Sequence, residues 1–244
     1  EEKQLIAVCF CARSRKKWHS RTETALETLM IPSLVKTITE AEKQLYRFEV
    51  HVGIDSDDFF WKKKLPKIRV PDWLSIHFHS YKPQKGIPFN PLMRDAYNAG
   101  AEYLLRINDD SEFLTSSWAT QGIRELRAMN PPNIGVVAPK CSQGNTAIFT
   151  HDMVHRTHLE IFDTYYPAVF SNWFIDDWIT MVYKPDRSKL VRSWEVKHHT
   201  GMHGTRYNVE ESQRAFLKSE IEQGKERIKT WLASHPSGST TTAA

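Results

Sequence analysis

Short apolar runs alternate with helix-period stretches through the first 138 residues. The runs predict buried β-strands because they are brief and rich in β-branched or aromatic side chains; they cover residues 5–10, 46–54, 74–78, 102–107 and 134–138. Helical spacing of apolar residues between the runs predicts helices at residues 24–38, 91–100 and 118–129. Strands that alternate with helices predict an α/β fold, in which a central, mostly parallel sheet is flanked by helices.

The pattern changes after Ala138. A short strand at 145–149, a helix at 152–162, a strand at 190–196 and a long amphipathic helix at 210–232 are predicted there. We interpret residues 1–235 as a single domain with two halves, 1–138 and 139–235, the second carrying a small antiparallel extension. Small polar residues at 236–244 predict a flexible tail.

Composition narrows the classes of function. A net charge of +4 is too small to indicate a nucleic-acid partner, and no apolar run approaches the ~20 residues of a membrane span. Cys9, Cys11 and Cys141 do not form the pattern of a disulfide framework. With no signal peptide or glycosylation sequon visible, we expect a cytoplasmic location; a Golgi lumenal domain with a trimmed anchor is the alternative. The oligomeric state stays open.

The apolar run at 102–107 ends at Asn108-Asp109-Asp110. Adjacent carboxylates repel one another unless a cation lies between them, and hard divalent ions with oxygen ligands also bridge to phosphates. An ordinary turn or helix N-cap is the alternative, since Asp and Ser accept backbone N–H bonds there. Asp55 also follows a strand end, and ligands of such sheets bind at the carboxyl ends of strands, which favours a site.

A second acidic pair, Asp176-Asp177, lies among aromatic residues that include Trp173 and Trp178. Partial desolvation raises the pKa of a carboxylate and makes it a better base at neutral pH. The alternative is a helix N-terminus, where Asp is also favoured.

Two histidine groups complete the candidates. His198, His199 and His203 lie in a predicted loop that would allow one imidazole to reach a cation on Asp110, although exposed loop histidines are the alternative. The other group is His151, His155 and His158, in which His151 and His155, or His155 and His158, would share a helix face. For this group we expect substrate contact or plain surface exposure rather than a zinc site. The phosphate-binding P-loop, the Gly-x-Gly-x-x-Gly pattern and the Gly-x-Ser-x-Gly elbow are absent, so a phosphate ligand would need a metal ion and basic side chains.

Taken in order, these segments resemble the GT-A glycosyltransferases, over about residues 5–207. The resemblance places Asn108-Asp109-Asp110 at the family's Asp-x-Asp metal motif, with Asn at the first position. It implies that Asp110 coordinates the metal and that Asp109 contacts the ribose or the metal and its water shell. The late metal-ligating histidine of the family would correspond to His199 or His203.

The same resemblance assigns nucleotide-sugar contacts. The Cys11-Ala12-Arg13 turn is similar to the first nucleotide-facing loop, and Asp55 to the residue near the base or ribose. Asn90 and Arg94 are similar to the helix start that contacts the sugar phosphate. Asn108 is expected to be a further contact of the nucleotide sugar. The 174–178 segment is similar to that of the N-acetylglucosaminyltransferases that start N-glycan branching, which makes Asp177 the catalytic base. Acceptor contacts are expected at Trp173, Trp178 and His151.

The implied reaction is transfer of a hexosyl-type sugar from a UDP-sugar to a carbohydrate hydroxyl, with Mn²⁺ or Mg²⁺ as cofactor. The first half would bind the nucleotide sugar and the second half the acceptor. Inversion with Asp177 as base is expected; a retaining reaction that uses Asp176 or Asp177 is the alternative. A metal-dependent nucleotidyltransferase or phosphoesterase would need a second ion, for which Asp55, Asp57 and Asp58 are candidates. A noncatalytic sugar-binding module fits the strand–helix alternation poorly.

Overall fold

The computed structural model describes residues 2–14, 18–64, 68–204, 207 and 210–236. The predicted flexible tail lies outside the described residues except for Pro236. The strands are β1 Gln4–Ala12, β2 Tyr46–Asp55, β3 Leu74–Tyr81, β4 Tyr103–Arg106, β5 Ser111–Phe113, β6 Val136–Cys141, β7 Asp152–His155 and β8 Ser188–His198. The helices are α1 Ile31–Thr37, α2 Glu40–Leu45, α3 Phe59–Lys64, α4 Phe89–Asn98, α5 Trp118–Arg127, α6 His158–Ile161, α7 Ile175–Val182, α8 Thr200–His203 and α9 Leu217–Ser234.

Two of the long predicted helices each consist of two consecutive segments of different helix type. The stretch predicted at 24–38 forms a π-helix at Leu26–Met30 that runs directly into α1, and Pro32 is the second residue of α1. The stretch predicted at 210–232 begins as a 3-10 helix at Glu211–Phe216 and continues as α9. A 3-10 turn at Arg21–Glu23 also precedes the π-helix.

All these strands join one sheet in the order β3-β2-β1-β4-β7-β6-β8-β5. Strands β1 to β4 pair in parallel, β7 runs antiparallel between β4 and β6, and β5 runs antiparallel to β8. Since β6 and β8 are parallel to each other and run with β4, their carboxyl ends meet those of β1, β2 and β4 at one edge. The predicted sheet with helices on its faces is confirmed.

The core explains why β1 is apolar from Leu5 to Ala12. Ile6, Val8 and Phe10 pack into one layer, together with residues of α1 and α5. The alternate residues of β1, from Leu5 to Cys11, pack into a second layer with residues of α4, α7 and α9. A strand covered on both faces loses the alternation of a half-exposed strand, which is why such strands show continuous hydrophobic runs.

Two local predictions in the second half are wrong. Residues 145–149 form bends rather than a strand, and residues 152–162 form β7 and the short α6 rather than one helix. The first residues of that stretch pair with β4 on one side and β6 on the other, so sheet pairing overrides the local helical spacing. Because residues 152–155 form a strand, the shared helix face expected for His151 and His155 does not exist.

None of the helices in the described ranges is both long and apolar enough to cross a bilayer. The three cysteines are free and buried.

Candidate active site

A cleft of about 700 Å³ opens at the edge where the parallel strands end. It brings together both acidic pairs that the sequence singled out, although they are far apart in the chain. Its lining residues are Cys11, Ile87, Phe89, Arg106, Asn108, Asp109, Asp110, Gly144, Asn145, Ile148, Thr150, Asn172, Trp173, Phe174, Ile175, Asp176, Asp177, His198, Thr200, Gly204, Tyr207 and Arg214.

The Asn108–Asp110 segment connects β4 to β5 and is held at its far end by β8. Ser111 pairs with His198 across β5 and β8, and the amide N–H of His199 donates to the Asp110 carbonyl at 2.9 Å. Asp109 and Asp110 are 2% and 4% exposed, so both carboxylates lie in the floor of the cleft. The strand pairing therefore fixes which histidine can reach them.

His198 is the imidazole that contacts the acidic pair. Its Nε2 lies 3.0 Å from Asp110 Oδ1 and 3.2 Å from Asn108 Nδ2. His199 faces away, with Nε2 2.8 Å from Glu112 Oε2, and His203 Nε2 accepts the Ala25 N–H at 3.0 Å. The structure thus brings neither His199 nor His203 to Asp110 and places the neighbouring His198 there instead.

Asp176 belongs to a buried charge network. Arg106, which is 1% exposed, binds one oxygen of Asp176, lies with Nε 3.2 Å from Asp152 Oδ1, and donates to the Tyr166 hydroxyl at 2.7 Å. The Tyr166 hydroxyl in turn donates to Asp152 at 2.6 Å. Burial raises the pKa of Asp176, and the charge of Arg106 partly opposes that rise.

Asp177 differs from its neighbour. It lies in the first turn of α7 and lines the cleft, and its side chain makes no hydrogen bond or ion pair with any other described residue. The preceding Phe174 has φ of 72°, a left-handed conformation that is strained for an aromatic residue and that sets where α7 begins. This carboxylate is consequently available to a ligand in the cleft.

The three expected acceptor contacts lie in different environments. Trp173 is 46% exposed and lines the cleft. Trp178 is 2% exposed and donates from Nε1 to the Glu220 carbonyl, which makes it part of the core between α7 and α9. His151 is buried, 2.7 Å from the Ser111 hydroxyl through Nε2, and its ring meets that of His198 edge-on; burial lowers its pKa well below the ordinary value.

The predicted nucleotide contacts at the ends of β1 and β2 do come together. Cys11 lines the cleft, Ala12 is buried beside it, and Arg13 Nε lies 3.2 Å from Asp55 Oδ2. Asp55 is fully buried; burial raises its pKa, and the charge of Arg13 partly opposes that rise. The Arg13 guanidinium also lies over the Tyr207 ring at 5.4 Å.

Asn90 and Arg94 do not line the cleft. The Asn90 amide makes two hydrogen bonds with the backbone of Tyr166, at 2.8 and 3.0 Å. Arg94 donates to the carbonyls of Leu159 and Asp163. Both side chains join α4 to the neighbouring loops.

Among the cleft residues that the sequence analysis did not single out, Arg106, Tyr207 and Arg214 are charged or aromatic. Arg106 had a signal, because a charged residue inside an apolar strand needs a buried partner. Tyr207 and Arg214 had none, since they lie in segments of unremarkable composition; the Arg214 guanidinium sits over the Phe174 ring at 5.1 Å.

Neither a family model nor a curated protein matches this sequence. Among solved structures, Staphylococcus aureus TarS 1-349 in complex with UDP-GlcNAc aligns with a TM-score of 0.59 and 16% identity, over 98% of this chain and 74% of that one. The same TarS fragment in complex with UDP gives a TM-score of 0.57 at 15% identity, over 95% and 70%. A longer TarS chain aligns at 0.58 and 16%, and this chain spans 44% of its length. The shared architecture confirms the predicted α/β fold of GT-A type.

Proposed function

We propose that this protein is a glycosyltransferase that moves a sugar from a UDP-sugar to a carbohydrate hydroxyl. The observation that carries the proposal is the cleft that joins the Asn108–Asp110 segment to Asp177 at the carboxyl edge of the sheet. Support comes from TarS, which shares the fold and has been solved with UDP-GlcNAc and with UDP. Ligands of such sheets bind at this edge, so the nucleotide would lie along the ends of β1, β2 and β4.

The residues around Asp110 suit a divalent cation. Asp110 Oδ1 and His198 Nε2 are 3.0 Å apart and both residues line the cleft, so one carboxylate donor and one imidazole donor meet there. This mixed donor set fits Mn²⁺ better than Mg²⁺, which prefers oxygen ligands alone. Asp110 and His198 would hold the ion, and Asp109, which lines the same cleft, would be a further ligand or would contact its water shell. When bound, it would neutralise charge on the diphosphate leaving group.

Protein side chains would bind the nucleotide, deprotonate the acceptor and stack on the acceptor sugar. The Arg13–Asp55 pair lies at the ends of β1 and β2, beside the cleft residue Cys11, where Arg13 held by Asp55 would border the base or ribose. Asp177 would remove the proton of the acceptor hydroxyl as that oxygen attacks the anomeric carbon, and a direct displacement of this kind inverts the configuration. Trp173 provides an exposed apolar surface on which an acceptor sugar can stack.

A phosphoesterase or nucleotidyltransferase with two ions is less well supported. Asp58, one of the carboxylates it would need, accepts hydrogen bonds from the Ser14 N–H and hydroxyl, both at 2.7 Å, and from the Phe60 N–H at 3.2 Å. Asp55 is paired with Arg13. Both carboxylates are therefore engaged in structural contacts.

A panel of nucleotide sugars with Mn²⁺ tests the proposal. UDP and at least one UDP-sugar should raise the melting temperature, because a ligand that binds the folded state stabilises it. No response to any nucleoside diphosphate, with or without Mn²⁺, would contradict the whole assignment.

The base is tested by Asp177→Asn. Transfer should fall by about 10²–10⁴-fold, the range for loss of a general base, while the thermal shift with UDP and Mn²⁺ stays unchanged. Asp186→Asn, at an exposed position after α7, is the matched control and should transfer normally. If Asp177→Asn transfers as well as the wild type, the base is elsewhere.

A further inference from the structure

A cluster of histidines lies on β2 and β3, apart from the cleft. The two strands are parallel, with His51 opposite His77 and Gly53 opposite His79. Since alternate residues of a strand share a face, Glu49 and His51 on β2 lie on the same side as His77 and His79 on β3. The His51 ring stacks on the His79 ring with centroids 5.1 Å apart, and the His77 ring is tilted against His51 at the same centroid distance of 5.1 Å.

Three of these side chains converge on one point. Glu49 Oε2 lies 3.2 Å from His51 Nε2 and 3.3 Å from His77 Nε2, and the three ligand atoms all lie within 4.8 Å of one another. Metal–ligand bonds of about 2.0–2.1 Å in tetrahedral geometry separate the ligand atoms by roughly 3.3–3.4 Å. The two contacts made by Glu49 therefore match the spacing of two ligands on a single ion.

A count of protons shows what the cluster lacks. A chain of three contacts runs from Glu49 through His51 and His79 to Asp95, with His51 Nδ1 3.0 Å from His79 Nε2 and His79 Nδ1 3.3 Å from Asp95 Oδ2. Two neutral imidazoles supply two protons, so one of the three contacts has none. A third proton would put a positive charge on buried rings, which low dielectric disfavours.

Both ends of this chain are carboxylates, which can only accept hydrogen bonds. Asp95 Oδ2 also accepts the Tyr81 hydroxyl at 2.5 Å. With a metal ion on His51 Nε2, two protons would be enough, because His51 Nδ1–H would donate to His79 Nε2 and His79 Nδ1–H would donate to Asp95. Histidine ligands of metals characteristically donate their second ring N–H in this way.

We propose that Glu49, His51 and His77 bind one divalent transition-metal ion of the Zn²⁺ class on the outer part of the sheet. Two imidazoles and one carboxylate form a donor set suited to such an ion. The side chain of His77 is 45% exposed, which gives the ion an entry path and leaves a fourth position for water. The Arg47 guanidinium, with Nε 3.7 Å from Glu49 Oε1, contacts the other carboxylate oxygen and leaves Oε2 to the ion.

A metal ion at this site would stabilise the edge of the sheet. In the described sheet β3 is an edge strand, held on one side only by β2. An ion shared by Glu49 and His51 of β2 and His77 of β3 would fasten that edge. None of the three ligands lines the cleft, so this ion is distinct from the one proposed at Asp110.

Zinc titration of the metal-free, tag-free full chain, with a chromophoric chelator as competitor, tests the site. We expect His77→Ala and Glu49→Gln each to weaken Zn²⁺ binding by more than about 100-fold, since loss even of an outer-shell partner costs 10–100-fold. Asp95→Asn, which removes an outer-shell partner, should weaken Zn²⁺ binding by about 10–100-fold. His235→Ala, an exposed histidine at the end of α9, is the matched control and should bind like the wild type.

Two further measurements keep the outcome decisive. Co²⁺ in place of Zn²⁺ should give the visible absorption of a tetrahedral site in wild type and in Asp110→Asn, and that absorption should be lost in Glu49→Gln. Circular dichroism should show that the exposed His77→Ala variant is folded. Unchanged zinc affinity in folded His77→Ala, or loss of binding only in Asp110→Asn, would overturn the proposal.

Discussion

Adjacent carboxylates in this cleft have opposite environments. Asp176 is bound by the buried guanidinium of Arg106, whereas Asp177, one residue later on α7, has no ion pair or hydrogen bond through its side chain with other described residues. Successive residues of a helix point about 100° apart, so although both residues line the cleft, Asp176 contacts Arg106 and Asp177 does not. We expect a structural role for Asp176 and propose the catalytic role for Asp177.

Asp176→Asn should therefore destabilise the fold. Arg106 would keep Asp152 but lose a charged acceptor, and a hydrogen bond to a charged group contributes about 1.5–3 kcal/mol. Urea unfolding at pH 7 measures the loss. Asp177→Asn, with no such partner, should stay within about 0.5 kcal/mol of the wild type. Equal losses in the two variants would contradict the division of roles.

The sequence alone could not show whether His198 or His199 contacts Asp110. The sequence indicated that a histidine after the last strand could meet Asp110, and His198 does so. Choosing between His198 and His199 required the register of β5 against β8, because neighbouring strand residues face opposite sides. Nothing in the local sequence specifies a pairing between segments more than 80 residues apart.

At the level of elements, the strands of the first half were predictable because burial on both faces leaves continuous apolar runs. The failure at 152–162 has the opposite cause. Asp152 starts β7 with a buried carboxylate, tolerated because the Tyr165 and Tyr166 hydroxyls each donate to it at 2.6 Å. Such a strand has no apolar signature at its start, and its partners come from distant segments.

Packing of α9 against α7 yields a second prediction. A Cβ on Gly224 would lie 2.5 Å from Val182 Cγ2 and 3.3 Å from Trp178 Cζ2, both buried. Overpacking of this kind costs about 1–3 kcal/mol, against a gain of about 1 kcal/mol in helix propensity. Gly224→Ala should thus lower the free energy of unfolding, as measured by urea denaturation.

The matched control is Gln223→Ala, an exposed neighbour on α9, which should change stability by less than about 0.5 kcal/mol. Propensity alone predicts that Gly224→Ala stabilises the protein. A gain of about 1 kcal/mol would show that α9 does not pack on α7 as described.

For the molecule as a whole, the two halves inferred from sequence share one sheet. Strand β7 of the second half lies between β4 and β6, and β8 lies between β6 and β5 of the first. The cleft consequently has Asn108–Asp110 from one half and Asp177 and His198 from the other. Positioning these groups depends on the same pairings that build the core, so we expect a substitution that breaks these strand pairings to lower stability and function together.

Acidification should weaken that core through its buried histidines. His158 is 1% exposed; its Nε2 lies 2.8 Å from the Tyr165 carbonyl, so that nitrogen carries the proton, and Nδ1 accepts the Tyr183 hydroxyl at 2.9 Å. Burial lowers the pKa of His158 from 6.5 to about 4. Below pH 6.5 the unfolded chain gains a proton that the folded chain does not, so stability is full above that pH and falls toward pH 4, by about 2 kcal/mol at pH 5.

Other groups titrate in the same range, which is why the comparison must be between variants. Burial also lowers the pKa of His155 to about 4, whereas the raised pKa of Asp152 acts with the opposite sign. Taking the difference between wild type and His158→Gln cancels these shared contributions. Between pH 7.5 and 5 the variant should lose about 2 kcal/mol less stability than the wild type, measured by urea unfolding at each pH. His235→Gln, at an exposed position, should follow the wild type, and equal pH dependence in His158→Gln would show that His158 is not buried as a neutral imidazole.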